Sequence, residues 1–405
     1  MRGVPEYWGG EVPFVKIEDI SRSGGQITRT EEHITEEGLG SSSAWVVPQN
    51  SVLLTMYASI GETAVSKVPL ATNQAIAAIV PDRTRIGEDF LYFALKYFGK
   101  RLVSYNIQTT QKNVNKGIVE RFPIPCPPRP EQQAIAHVLR TVQEAIEATE
   151  QVIEATRELK QSMMDHLFTY GPVPVDEAEQ VLIRETTFGP VPERWSVINL
   201  GDCTYVQTGV TKGRKLDNDE TVEVPYLRVA NVQDGYLDLE EMKTIQIRES
   251  ELERYRLREG DVLLTEGGDF GKLGRGFVWR GQIPNCVHQN HVFAVRANRT
   301  VLTPEYLAYL VQSRYGKAYF LKVAHRTTNL ASINSTKLKA FPVLVPSFPE
   351  QEEIVHVLEA VDKKIAAEVS RNAALEVLFK TLLHNLMTGK VRVNDLDIFE
   401  IEGVL

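Results

Sequence analysis

One phrase occurs twice in this chain, 219 residues apart. Phe122-Pro123-Ile124, Pro127, Pro130-Glu131-Gln132, Ile135, His137-Val138-Leu139, Val142 and Ile146 return as Phe341-Pro342-Val343, Pro346, Pro349-Glu350-Gln351, Ile354, His356-Val357-Leu358, Val361 and Ile365. The register persists to Leu159/Leu378, Leu167/Leu386 and Thr169/Thr388. Solenoid units run only about 20–50 residues, so this period is a duplicated domain-plus-helix. It predicts two similar surfaces related by an approximate two-fold axis.

Each phrase opens a long helix, 131–168 and 350–388. Neither stretch has an internal Gly or Pro, both are rich in Ala, Glu and Leu, and a Pro-Glu pair suits each start. Apolar residues recur at heptad spacing. Ile135, Val138, Val142, Ile146 and Leu159 on the first helix, with Ile354, Val357, Val361, Ile365 and Leu382 on the second, are the candidate seam and partner-docking stripe. Lys364, Glu368 and Arg371 weaken the middle of the second stripe. At ~1.5 Å per residue each helix is about 57 Å long, more than a small domain needs as core. The expected fold class is α+β: two similar α/β domains separated by two long antiparallel, coiled-coil-like spacer helices.

The expected segments are a first domain at 1–130, a helix at 131–168, a linker at 169–187, a second domain at 188–349, a helix at 350–388 and a tail at 389–405. Strand-like runs Val12–Ile17, Ser51–Tyr57 and Ala75–Val80 match Val224–Val229, Asp261–Thr265 and Val292–Val295, and a helix Glu88–Tyr105 matches Pro304–Lys322. Asn73-Gln74-Ala75 is paired with His288-Gln289-Asn290. Phe188–Lys212 has no first-copy counterpart, which predicts a first domain with a shortened opening; the tail is a candidate to complete it.

A net charge of −8 argues against a polyanion partner until its distribution is read. The helices, linker and tail carry the acidic excess and leave the two domains net positive. Residues 90–130 hold Lys96, Lys100, Arg101, Lys112, Lys116, Arg121 and Arg129 against Glu120, and residues 305–349 hold Arg314, Lys317, Lys322, Arg326, Lys337 and Lys339 against Glu305. Two basic stretches at the same place in both copies favour a polyanion surface over a solvated face.

Catalytic machinery is not written here. The chain has no Walker loop, no dinucleotide fingerprint and no Asn-Pro-Pro-Tyr-like tetrapeptide, so no nucleotide or S-adenosylmethionine site is expected. Cys126, Cys203 and Cys286 are scattered and match neither a disulfide framework nor a zinc spacing. His137 and His356 fall at equivalent helix positions and read as structural. The pair His288/His291 faces Thr72-Asn73-Gln74-Ala75 in the first copy, which has no His, so a polar reading loop is preferred to a metal site. Gly267–Arg275, rich in glycine, reads equally as phosphate cradle or as tight turns. The absence of a signal core and of a spanning apolar stretch points to the cytoplasm and to no membrane partner.

These phrases resemble, over essentially the whole chain, the specificity (S) subunits of type I restriction-modification systems. The resemblance rests on the doubled Phe-Pro-Ile/Val…Pro-Glu-Gln…Ile…Leu signature, on Pro5-Glu6-Tyr7-Trp8-Gly9-Gly10 with Val12–Ile17, and on Ala71-Thr72-Asn73-Gln74-Ala75. It implies a non-catalytic DNA reader with two target-recognition domains, each reading half of a split asymmetric sequence in double-stranded DNA. The helix pair sets the gap and docks two methyltransferase (M) subunits; motor-nuclease (R) subunits complete the restriction complex. No cofactor is expected on this chain, with S-adenosylmethionine, ATP and Mg on the partners. Lys and Arg would meet phosphates and polar loops would read bases. The first-domain candidates are Ser59, Asn73, Gln74, Gln108, Thr109, Thr110, Gln111, Lys112, Asn113 and Lys116. Those of the second are Lys212, Arg214, Lys215, Lys272, Arg275, Gln289, Asn290, Arg326, Thr327, Thr328 and Asn329. The competing reading is a duplicated protein–protein adaptor that does not bind DNA.

Overall fold

The structure is a computed structural model that describes residues 4–104, 114–216, 220–268, 273–326 and 331–396. The chain divides into two units, Met1–Ile153 with Ala367–Leu405, and Glu154–Ala366. Both divisions fall inside long helices, so each unit holds the head of one helix and the tail of the other.

In the first unit the strand Val52–Thr55 is buried on both faces, between antiparallel Thr63–Ser66 and Ile76–Ile79. A strand alternates its side chains between faces. Val52 and Leu54 therefore join the core beneath the helix Glu88–Phe98, while Leu53 joins a smaller core with Val15, Ile20 and Ile27. The second unit repeats this arrangement with Asp261–Thr265 between Gly276–Val278 and Val292–Ala297. Val262 and Leu264 face one core and Leu263 the other, with Trp279 and Cys286. A second sheet also recurs: Trp8–Val15 lies between Glu32–Ile34 and Ala71–Thr72, and Thr221–Leu227 between Lys243–Arg248 and Val287–His288. Among the described residues, a strand equivalent to Thr204–Thr208, which flanks Val292–Ala297, is found only in the second unit. It lies in the stretch for which the sequence showed no first-copy match.

The long helices run Arg129–Tyr170 and Phe348–Met387. In the first unit the head of one packs on the tail of the other: Ile135, Val138 and Val142 share a core with Phe379, Leu382 and Leu386. In the second unit Met164, Leu167 and Phe168 share a core with Ile354 and Leu358. Within each unit the segments are therefore antiparallel. Ile146, Val357, Val361 and Ile365 are half-buried, but Leu159 is 53% exposed and Val152 41%. Of the candidate seam and docking stripe, Ile135, Val138, Val142, Ile354 and Leu382 are buried, whereas Leu159 is open. Heptad spacing aligns apolar residues on one face but says nothing about what covers them.

The repeated Pro-Glu-Gln has a mechanical meaning. Gln351 Nε2 donates to the carbonyls of Val301 (3.0 Å) and Pro346 (3.1 Å), and its Oε1 accepts from the Thr303 N–H (2.9 Å). Gln132 does the same with the Arg85 and Pro127 carbonyls (2.9 and 2.8 Å) and the Gly87 N–H (3.0 Å). Each buried amide thus ties the start of a long helix to the loop that enters the domain's own helix. The neighbouring glutamates have different partners. Glu350 is held below the usual carboxylate range: burial opposes its charge, but hydrogen bonds from Trp195, Ser347 and Arg194 outweigh it. Glu131 accepts from Arg392 (2.7 Å), and Val393 beyond it is buried in the first unit's core. The described part of the tail thus belongs to that unit.

Two sequence expectations shift. The helix expected at Pro304–Lys322 is two helices, Pro304–Gln312 and Arg314–Val323, broken at extended Ser313, whose hydroxyl caps the second through the Gly316 N–H. A Cβ on Gly316 would lie 2.5 Å from the Leu310 carbonyl, so the turn requires glycine. The helix expected at Glu88–Tyr105 ends at Phe98 and continues as a 3-10 turn, Gly99–Val103. Among the described residues no helix is long and apolar enough to cross a membrane.

Candidate nucleic-acid interface

The backbone register fixes which residues of the two units share a place. Val15 pairs with Thr72 as Leu227 pairs with His288, and Thr55 with Ile76 as Thr265 with Val292. Asn73-Gln74-Ala75 is therefore equivalent to Gln289-Asn290-His291, as when His288–His291 is set against Thr72–Ala75 and one residue beyond the pairing with His288-Gln289-Asn290. Loops of unequal length let an alignment slide, whereas hydrogen-bonded strands do not.

With that register, one turn in each unit gathers the candidates. In the second unit Gln289 Oε1 accepts from the Val229 N–H (3.2 Å), bracing the turn. The Asn290 N–H donates to the Val210 carbonyl (3.1 Å), bringing in the loop that carries exposed Lys212 and Lys215. Gly209 must be glycine there, because a Cβ would lie 2.0 Å from the His288 carbonyl. The Glu266 N–H donates to the His291 carbonyl (2.9 Å), and Gly267–Gly268 pairs with Ala331–Ser332, which pairs in turn with His325–Arg326. Arg326 and His325 are exposed, and Arg326 donates to the Leu321 carbonyl (2.7 Å). Lys272, Thr327, Thr328 and Asn329 lie outside the described residues.

The first unit has a simpler version. Asn73 Oδ1 accepts from the Ala75 N–H (2.8 Å) and braces the turn as Gln289 does, leaving Gln74 exposed. The Met56 N–H donates to the Ala75 carbonyl (2.8 Å), and the Val114 N–H to the Met56 carbonyl (3.3 Å). Ser59 stands exposed on the next turn, and Lys116 is exposed beside Glu120 at 3.5 Å. Gln108, Thr109, Thr110, Gln111, Lys112 and Asn113 lie outside the described residues.

Several candidates have structural work instead. Arg214 donates to both carboxylate oxygens of Glu251 (2.9 and 3.0 Å), which raises the guanidinium above its ordinary range and lowers Glu251. The fork that would read guanine is occupied, so Arg214 anchors its loop. Arg275 donates to Gln233 (3.1 Å) with its Nε buried, and Asn73 and Gln289 are turn braces. Lys317 of the basic stretch pairs with Asp234 (2.6 Å). Sequence reading passed over Glu266, 25 residues from its partner His291, because no local motif links them.

His288 is wholly buried. Its Nδ1 lies 2.8 Å from the Val292 carbonyl and Nε2 has no partner among the described residues, the pattern of a neutral imidazole. Burial pushes it from 6.5 down to about 4. The unfolded chain takes up a proton below about pH 6.5 that the fold refuses until about pH 4. Stability from this group is intact above that range and falls by about 3 kcal/mol as pH drops through it. His288→Thr, the residue the first unit has at this place, is expected to flatten that acid limb in urea unfolding followed from pH 7 to 4; an unchanged limb would contradict it.

The model for the type I restriction modification DNA specificity domain matches residues 4–156 and again 192–377. The chain belongs to this family. A specificity-domain chain is a DNA-recognition protein, and its doubled match falls on the two halves of the duplication. The chain is 24% identical over 400 residues to the type I restriction enzyme MjaIX specificity subunit of Methanocaldococcus jannaschii, covering 97% of this chain and 90% of that one. A crystal structure of a type I restriction-modification S subunit from M. genitalium shares the fold, with a TM-score of 0.56, 16% identity and coverage of 95% and 91%. A chain from a study of complex assembly and conformational transition of the type I R-M system matches with a TM-score of 0.52, 17% identity and coverage of 95% of each.

Proposed function

We propose that this specificity-domain chain is the non-catalytic recognition subunit of a type I restriction-modification complex in the cytoplasm. Each unit reads one half of a bipartite, asymmetric duplex target through the turn built around Gln74 or Asn290. The long helices set the gap between the half-sites and dock two methyltransferase subunits, with Leu159 and Val152 on the open stripe as contact residues. S-adenosylmethionine, ATP and Mg belong to the methyltransferase and motor-nuclease partners.

One observation supports this reading above the others. The two units share strand registers and helix staples, yet differ in side chains at the same outward turn. Shared scaffold with unlike surfaces is what two readers of two different half-sites require. Exposed Lys116, Lys212, Lys215 and Arg326 supply phosphate contacts.

Fluorescence-detected binding of the chain, with its methyltransferase partner, to labelled duplex DNA tests it. Affinity is expected to fall linearly on a log–log plot as salt rises from 50 to 200 mM, by tenfold or more, about what a few phosphate contacts give. Binding that is absent, or indifferent to salt, would favour the protein–protein adaptor.

A further inference from the structure

The outward turn of the second unit carries a chain of three side chains that the first unit lacks. Glu266 Oε2 lies 2.5 Å from His291 Nδ1, and Asn290 Nδ2 lies 3.4 Å from His291 Nε2. The scaffold does not need them. Met56 and Ala75 occupy the places of Glu266 and His291 in the first unit, and the same backbone bridge forms there. The His291 side chain is 56% exposed, where a hydrogen-bonded pair adds little to folding. A polar relay that the fold can omit, on a turn bonded to the Lys212 loop, points to recognition.

Its chemistry selects a base. A carboxylate only accepts, so an imidazole proton sits on Nδ1, and the singly protonated ring then presents a lone pair at Nε2. That lone pair accepts one N–H of the Asn290 amide and turns its nitrogen side toward the ring. Among the described residues nothing else engages the Asn290 amide, so its Oδ1 atom and second N–H remain for a ligand, an acceptor beside a donor. In the major groove adenine offers the complement, the N6 amino donor and the N7 acceptor; guanine offers two acceptors there. Gln74, at the same place in the first unit, has Met56 and Ala75 where this relay has Glu266 and His291.

Resting on the reading of the chain as a DNA-recognition subunit, we propose that Asn290 reads an adenine in the half-site of the second unit. His291 and Glu266 are positioning residues that fix its amide.

The test uses the assembled complex of this chain with its methyltransferase partner. The probes are duplexes carrying the motif that the wild-type complex methylates, with each base pair of the second half-site replaced in turn. Asn290→Ala is expected to lower the preference for one A·T pair by about tenfold or more and to leave the first half-site unchanged. Glu266→Met combined with His291→Ala, the residues of the first unit, is expected to weaken the same pair. Glu266→Gln keeps an acceptor for Nδ1–H and should keep the preference. Wild-type preference in Asn290→Ala, or a loss spread evenly over the half-site, would overturn the adenine assignment. No effect of the double variant would overturn the positioning role. A wild-type complex without any sequence preference would instead sink the DNA-recognition reading, and this inference with it.

Discussion

Asp261→Ala is expected to cost the second unit about 3–5 kcal/mol, a large fraction of the stability of an ordinary domain. Asp261 is wholly buried and accepts from Arg296 Nε and a terminal nitrogen at 2.8 Å each, and from the Arg258 N–H at 2.8 Å. Removing the carboxylate leaves a partly buried guanidinium without its counter-charge and a turn N–H without its acceptor. The first unit shows that the pair itself is dispensable. By strand register Ser51 holds the place of Asp261 and Val80 that of Arg296, and the Ser51 hydroxyl closes the same turn by donating to the Pro48 carbonyl (2.7 Å). Asp261→Ser with Arg296→Val should therefore recover most of the loss. Buried Trp195 and Trp279 report on this unit, so denaturant unfolding followed by tryptophan fluorescence measures both effects. A double variant as unstable as the single one would contradict the equivalence of the two units.

Gln351→Ala is the second large loss expected, about 3–9 kcal/mol. It orphans the Thr303 N–H and the carbonyls of Val301 and Pro346, and each unsatisfied buried group costs about 1–3 kcal/mol. Gln132→Ala should cost less in the first unit. Pro346 is buried there in the second unit and Phe341 has no exposure, whereas Pro127 and Phe122 are only half-buried, so water reaches the groups that Gln132 satisfies. Unfolding midpoints of the two variants check the order; a larger loss for Gln132→Ala would contradict it.

What the sequence revealed follows from what each pattern encodes. The duplicated Pro-Glu-Gln was legible because a buried amide tying a helix start to one loop needs the same residue in both copies. Val52–Thr55 and Asp261–Thr265 were legible because a strand buried on both faces reads as an unbroken apolar run. The covering of the helix stripe was not, since Val152 and Leu159 keep the heptad yet remain exposed. The break at Ser313 carried a signal, a Ser cap three residues before Gly316, that strong apolar periodicity on either side obscured. The reading turn was half legible. Its polar composition stood out, but its register and the relay from Glu266 to Asn290 depend on strand pairing that no local window contains.

The central claim is that two different readers act on one split DNA target. Single-molecule sequencing of methylated adenines in the host genome, with the gene present and deleted, tests it most directly. The account predicts an asymmetric motif of two half-sites with a fixed, unspecified gap that disappears on deletion. An ungapped motif, or one that survives deletion, would contradict it.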